Sequence, residues 1–133
     1  MIGHFPRKLR GSATDMAKRL VALWSEYRKH NSTFDPASDW QKRDAFRWIC
    51  IQVGYGEGWA NAFAGQSPGK NHIYLGDLAI TLTTNDLLRW NHKPKALARA
   101  YGELYEYFYA HLPDQVGDLL EEYEKWRNWG AQE

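Results

Sequence analysis

Three glycines follow an apolar run near the middle of the chain and precede a segment typical of a helix. Gly54, Gly56 and Gly58 lie at alternate positions, in the context that a dinucleotide-binding fingerprint needs. The spacing G-x-G-x-x-G requires a glycine at position 59, where the Trp59 side chain would block close approach of a pyrophosphate. The pattern therefore predicts a helix-ending turn and no nucleotide site.

A second glycine-containing segment, residues 65–71, resembles a phosphate-binding loop only in part. Gly65 and Gly69 are followed by Lys70, but the spacing is one residue shorter than G-x-x-x-x-G-K requires. Asn71 also stands where a Ser or Thr hydroxyl would bind magnesium. We expect a loop here, and the sequence predicts no cofactor.

The histidines are dispersed along the chain at His4, His30, His72, His92 and His111. They lack the short spacing that places two imidazoles on one metal ion, so no metal site is predicted. No pair of a nucleophile and a base is visible either, which favours a non-catalytic protein. A small enzyme with a site assembled in space from Glu57, His72 and His92 is one alternative, because catalytic groups need not be close in sequence.

The one cysteine, Cys50, lies within the apolar stretch 48–53. We expect a buried, unreactive thiol, because a reactive thiolate needs a neighbouring cation and some exposure. A single cysteine forms no internal disulfide, which is typical of a reducing compartment. The chain contains no leader-like apolar segment and no run of about 18 apolar residues. These observations predict a cytoplasmic protein without a membrane partner.

Charge is distributed unevenly along the chain. Residues 1–30 hold seven Lys and Arg against two acidic residues, a net charge of +5, whereas residues 114–133 hold two against six, a net charge of −4. The basic end could contact nucleic-acid phosphates through Arg7, Lys8, Arg10, Lys18 and Arg19. A sequence isoelectric point near 7.9 is low for a nucleic-acid-binding domain, which makes this function an alternative. The two ends could also pair within one chain or orient a homodimer.

Aromatic residues are abundant, with seven Trp, eight Tyr and five Phe. One group lies on apolar helical stripes and is expected in the core: Trp24, Tyr101, Tyr105, Phe108 and Tyr123. Trp48 and a second group lie off those stripes, and a small domain has limited interior in which to bury them. Exposed Trp and Tyr anchor protein interfaces by their large contact area. The predicted protein-binding surface comprises Tyr55, Glu57, Trp59, Tyr107, Tyr109 and Trp129, and the alternative is an aromatic-rich core.

Apolar residues at spacings of three and four predict two long amphipathic helices. The first spans about 13–30, after a capping sequence of Ser12 and Asp15, and the second spans about 94–111, with Pro94 in its first turn. Asp114 is expected to cap a last helix that runs antiparallel to the one before it.

The regions between these helices are less regular. The stretch 39–53 is favoured as a helix, with a strand as the alternative for 48–53. Short helices are expected at 59–64 and 83–90. Two apolar runs that flank Gly76 and Asp77 predict a β-hairpin at about 72–82.

The length of 133 residues is close to the commonest size of one domain. The predicted fold is mainly α: one helical domain over residues 1–133, a bundle of four to five helices with the small β-hairpin. Residues 1–11 are expected to form a flexible basic arm.

The sequence favours a non-catalytic macromolecular binding module that uses an aromatic surface patch. Its size and its lack of a catalytic motif suit a small accessory or inhibitory protein of a larger bacterial or phage protein or nucleoprotein assembly. Nucleic-acid binding through the basic arm and first helix, and a small enzyme, are the alternatives.

Overall fold

The computed structural model describes residues 12–35, 38–58, 74–84 and 93–131. Within these residues the chain forms five α-helices: α1 (Ala13–His30), α2 (Asp39–Gln52), α3 (Leu75–Leu82), α4 (Pro94–His111) and α5 (Leu119–Ala131). A 3₁₀ helix, Pro113–Gln115, joins α4 to α5. The expected mainly helical fold is confirmed, whereas the predicted arm at residues 1–11 lies outside the described residues.

Helix α1 begins and ends where the periodicity predicts. The Ser12 hydroxyl accepts a hydrogen bond from the Asp15 backbone N–H at 3.1 Å. The Glu103 carboxylate on α4 accepts two more at its Oε1 atom, from the Thr14 backbone N–H at 3.3 Å and from the Thr14 hydroxyl at 3.1 Å. These acceptors satisfy N–H groups that the first turn of a helix leaves unpaired.

Helix α2 confirms the helix favoured for 39–53 and contradicts the strand alternative for 48–53, with Val53 as its C-cap. Gly54 has a φ of 104°, the left-handed conformation that favours glycine. The Gly54 N–H donates to the Ile51 carbonyl at 3.1 Å, and the Tyr55 N–H donates to the Cys50 carbonyl at 3.0 Å. This pair of bonds is a Schellman motif, and it folds Tyr55 back onto the end of the helix.

The predicted β-hairpin at about 72–82 is wrong, because Leu75–Leu82 is helix α3 and the described residues contain no strand. Residues 72 and 73, the start of the expected hairpin, lie outside the described residues. Gly76 and Asp77, interpreted as a turn, belong to the first turn of α3. The apolar positions repeat at helical spacing and are buried: Leu75, Leu78, Ala79 and Leu82. Apart from Thr83 and Thr84, which follow α3 directly, the short helices expected at 59–64 and 83–90 lie outside the described residues.

The start of α3 is fixed on the connection between α4 and α5. The two carboxylate oxygens of Asp77 accept from the Tyr74 N–H at 3.1 Å and from the Asp118 N–H at 2.9 Å. The buried Gln115 side chain accepts from the Leu75 N–H at 3.2 Å. A Cβ atom added to Gly76 would lie 2.2 Å from the Val116 carbonyl oxygen, so this close approach requires glycine.

Helices α4 and α5 form the expected antiparallel pair. Gly102 in the middle of α4 faces the Tyr123 ring, and Gly130 at the end of α5 adjoins Pro94 at the start of α4. The predicted capping role of Asp114 is wrong, because Asp114 lies in the 3₁₀ helix and α5 begins only at Leu119. Gly117, with a φ of 53°, reverses the chain between the two.

The core is one cluster with buried side chains from all five helices. Helix α4 packs against α1, α3 and α5, and α1 also packs against α2 and α3. The largest fully buried side chains include Trp24, Phe46 and Phe108. Within the described segments, no helix combines the length and the apolar character needed to cross a lipid bilayer.

Candidate binding cleft

The sequence-predicted aromatic surface is not one patch. Tyr109 and Trp129 are exposed as expected, at 61% and 57% of their surface. Trp129 lies beside Gly130, and Gly130 adjoins Pro94, the first residue of α4. Tyr109 lies near His111, the last residue of α4. At 1.5 Å of rise per residue, the two rings are separated by roughly 20 Å along the hairpin. The two rings are therefore too far apart to contact the same side chain of a partner.

The other predicted binding residues have different environments. Tyr55 is only 5% exposed, so its expected exposure is wrong, and the Schellman motif at the end of α2 is the reason. The Tyr107 ring is partly buried, with its centroid 4.1 Å from that of the His111 ring. Glu57 is exposed and forms an ion pair with Arg47 at 3.8 Å. Trp59 lies outside the described residues.

The residues of the alternative functions are only partly described. Lys18 and Arg19 are exposed on α1, whereas Arg7, Lys8 and Arg10 lie outside the described residues, as do His72 and His92. No ion pair between described residues joins basic α1 to acidic α5, whose own cations pair with its acids. The described segments also contain no group of three or more His, Cys, Asp or Glu side chains placed to hold a metal ion.

A chain of aromatic rings leads from the core to the surface between α1 and α2. Phe34, in the turn after α1, packs edge-on against the buried Trp24 at 5.5 Å and against Tyr27 at 5.3 Å between ring centroids. Tyr27 in turn packs against Trp48 of α2 at 5.6 Å, with 55° between the ring planes. These contacts hold the partly exposed rings of Tyr27 and Trp48 in fixed positions.

These two rings line a cleft of about 460 Å³ between the last turns of α1 and the middle of α2. The remaining lining residues are polar or charged and come from both helices and from the residue after α1. The described lining residues are Glu26, Tyr27, His30, Asn31, Asp44, Arg47 and Trp48. None of them is the Ser, Thr or Cys nucleophile of an acyl-transfer site, and the mixture of rings and charges suits recognition.

The charged lining residues of the cleft include two carboxylates and the Arg47 guanidinium, which lies one helical turn from Asp44 on α2. Glu26 and Asp44 have exposed carboxylates and no ion-pair partner among the described residues, whereas Arg47 is paired with Glu57. Burial raises the pKa of the Tyr27 hydroxyl, and the nearby Asp44 carboxylate raises it further, against an opposing effect of Arg47. Two of the charged lining residues therefore act on the Tyr27 hydroxyl.

The end of α1 forms one wall of the cleft. The Asn31 side-chain amide donates to the Tyr27 backbone carbonyl at 2.8 Å and so satisfies one acceptor that the helix end leaves open. The remaining carbonyl groups of this last turn carry the negative end of the helix dipole. The same turn carries the basic residues Arg28, Lys29 and His30, which compensate part of this negative charge.

Sequence reasoning identified only Trp48 of this cleft, as an aromatic residue off the apolar stripes. Tyr27 lies on the stripe of α1 and is partly buried, and Glu26 and Asp44 look like ordinary polar surface in the sequence. Trp40, which is 80% exposed near the start of α2, was likewise not predicted. Trp40 lies in a polar stretch, so no apolar pattern pointed to it.

Comparison of the chain with protein-family models, with curated proteins and with solved structures found no match.

Proposed function

We propose that the chain is a non-catalytic binding module that holds a polypeptide segment of a partner protein in the cleft between α1 and α2. The main observation in support of the proposal is the composition of the cleft. Two partly exposed rings, packed against each other, lie there beside charges of both signs. Protein interfaces use aromatic residues as central anchors and polar groups at the rim. An accessory or inhibitory role in a larger assembly remains a prediction from the sequence.

The charges favour a polypeptide over a nucleic acid. The Glu26 and Asp44 carboxylates would repel backbone phosphates, whereas nucleic-acid sites gain their affinity from Lys and Arg. The exposed pair Lys18 and Arg19 lies further towards the start of α1 and is not part of the cleft lining. A cleft volume of about 460 Å³ admits a few side chains of an extended segment.

Selection of peptides from a display library, followed by fluorescence anisotropy of the selected peptides, tests the proposal. Trp48→Ala should weaken binding by about tenfold or more, the size of an interface anchor. Trp129→Ala is the matched control, because Trp129 is an exposed ring on α5 outside the cleft. It should leave the affinity within about twofold, as expected of a ring outside the interface.

A second cleft variant is needed because Trp48 also packs against the core, so that Trp48→Ala alone would not separate loss of binding from loss of fold. Asp44→Arg changes the cleft at an exposed position and should also weaken binding of the selected peptides, with an unchanged circular dichroism spectrum. Peptides that bind equally to all three variants would overturn the proposal. So would a low-salt gel shift with nucleic acid that Lys18→Glu and Arg19→Glu remove, which would establish the alternative.

A further inference from the structure

The lining of the cleft also indicates which side chain of a partner would bind there. This inference rests on the proposed function. We infer that the cleft selects partner segments that place an arginine side chain against the Tyr27 and Trp48 rings, beside the Glu26 and Asp44 carboxylates. Three features of the described residues support this inference independently: the carboxylates, the end of α1 and the rings.

The carboxylates supply the charge complement. Glu26 and Asp44 come from different helices, line the same cleft and have no ion-pair partner among the described residues. A guanidinium group offers five N–H donors in a planar fork that matches carboxylate geometry. An arginine can therefore bond to one or both acids, which a lysine ammonium does with less directional specificity.

The end of α1 adds to the same preference. Tyr27, His30 and Asn31 belong to the last turn of α1 and its C-cap, and all three line the cleft. The backbone carbonyls of a helix end carry a negative partial charge that stabilises a cation beside them. The Tyr27 carbonyl accepts from the Asn31 amide, and the Asn31 carbonyl accepts from the Phe34 N–H at 2.8 Å.

The rings supply the apolar platform. A cation within about 6 Å of a tyrosine or tryptophan ring is attracted by the ring quadrupole, and arginine also stacks on the ring plane. The Tyr27 and Trp48 centroids lie 5.6 Å apart, less than the roughly 7 Å that a planar group sandwiched between two rings would need. The guanidinium therefore packs on the exposed sides of the rings and not between them.

Arg47 is the lining residue that opposes a cation. Its guanidinium lies 3.8 Å from the Glu57 carboxylate, and both side chains are substantially exposed. Because the Arg47–Glu57 pair is exposed, solvent screens the Arg47 charge. The described side chains leave the cleft with an acidic excess, because Glu26 and Asp44 outnumber this one paired cation.

A small probe tests the cation preference without a partner protein. The probe is N-acetyl-arginine amide, titrated into ¹⁵N-labelled chain while the indole signals are followed by NMR. The matched control is N-acetyl-citrulline amide, which has the same shape without the charge. The arginine probe should shift the Trp48 indole signal and the backbone signals of 26–31 and 44–48, and the citrulline probe should not.

Charge-neutralising variants complete the test. The pair Glu26→Gln and Asp44→Asn should weaken binding of the arginine probe by about fivefold to tenfold. The control pair is Asp15→Asn and Asp114→Asn, two exposed acids outside the cleft lining, and it should leave binding unchanged.

The outcomes separate this inference from the proposed function. Equal binding of both probes, no shift at Trp48, or an equal loss in the control pair overturns the arginine preference. If selected peptides depend on Trp48 but contain no required arginine, the polypeptide site stands and only the arginine preference is contradicted. If selected peptides do not depend on Trp48 at all, the proposed function itself is contradicted.

Discussion

At the scale of single residues, Gly76 is a site where one added carbon should be costly. Its Cβ atom would meet three backbone atoms of the 3₁₀ connection at 2.2 to 2.8 Å, and backbone cannot move aside as a flexible side chain can. We expect Gly76→Ala to lower the free energy of unfolding by about 1–3 kcal/mol, the cost of overpacking, despite the better helix propensity of alanine.

Gly58→Ala is the matched control for that substitution, since no atom of the described residues lies within 4 Å of the added Cβ atom. It should change stability by no more than about 0.5 kcal/mol, as at an unconstrained surface position. Urea unfolding of both variants measures the difference. Equal losses would contradict the close packing of α3 on the connection.

Cys50 gives a prediction in chemical reactivity. Its thiol is fully buried, and burial raises its pKa from 9.0 to about 12. The native chain should therefore react with Ellman's reagent at pH 8 only as it unfolds, whereas the chain in urea should react at once. Native and unfolded chains that react at the same rate would contradict this burial.

The sign of the associated pH effect follows from the same shift. Between about pH 9 and pH 12 the unfolded chain loses the Cys50 proton while the folded chain keeps it. The unfolded state is therefore stabilised relative to the folded state, and the contribution of Cys50 to stability falls as the pH rises through this range.

Tyr55 shows what residue-level sequence reasoning can and cannot supply. The helix-ending role of the glycine turn was predictable, because Gly54 follows an apolar helix end. The burial of Tyr55 was also predictable, because an apolar residue directly after a C-terminal glycine commonly packs back onto the helix. The structure places Tyr55 in that position.

At the scale of elements, Asp77 links α3 to the start of α5. An asparagine at position 77 would keep one oxygen that accepts a hydrogen bond. Its NH₂ group would replace the other oxygen and face a backbone N–H, so the bond from either Tyr74 or Asp118 would be lost. We expect Asp77→Asn to cost about 1–3 kcal/mol, the range for leaving a backbone donor unsatisfied.

Thermal unfolding measures this loss, with Asp114→Asn as the control. Asp114 is exposed in the 3₁₀ helix and is the residue that the sequence pattern nominated as a cap. Its substitution should leave the midpoint nearly unchanged. A larger fall in the unfolding midpoint for Asp114→Asn than for Asp77→Asn would support Asp114 as the helix cap that the sequence predicted.

The long helices were predictable and the short one was not. Helices α1 and α4 each repeat their apolar residues over 18 residues, so the 3.6-residue period is unambiguous. Helix α3 has only eight residues and is apolar on most sides, so local periodicity competes with a hairpin interpretation of Gly76 and Asp77. Contact with residues 115–118, far along the chain, decides the structure, and the local sequence does not contain that information.

At the scale of the whole molecule, the cleft depends on how α1 and α2 meet. Glu26 and Asp44 are 18 positions apart, and neither has an unusual neighbour in the sequence. The Trp24 ring packs against Phe46 and the Tyr27 ring packs against Trp48, so α1 and α2 meet and form the cleft between them. The abundance of aromatic residues predicted that some rings would be exposed, as Tyr109 and Trp129 are, but it could not indicate which rings would lie together.

Besides the cleft, three other candidate binding surfaces are the exposed Tyr109 ring, the exposed Trp129 ring at the other end of the hairpin, and the basic pair Lys18 and Arg19. The most direct test maps the backbone amide shifts of the labelled chain on addition of a selected peptide. If the cleft is the binding site, the largest shifts fall in residues 26–31 and 44–48. Shifts concentrated at Tyr109, at Trp129, or at Lys18 and Arg19 would show that the cleft is not the binding site.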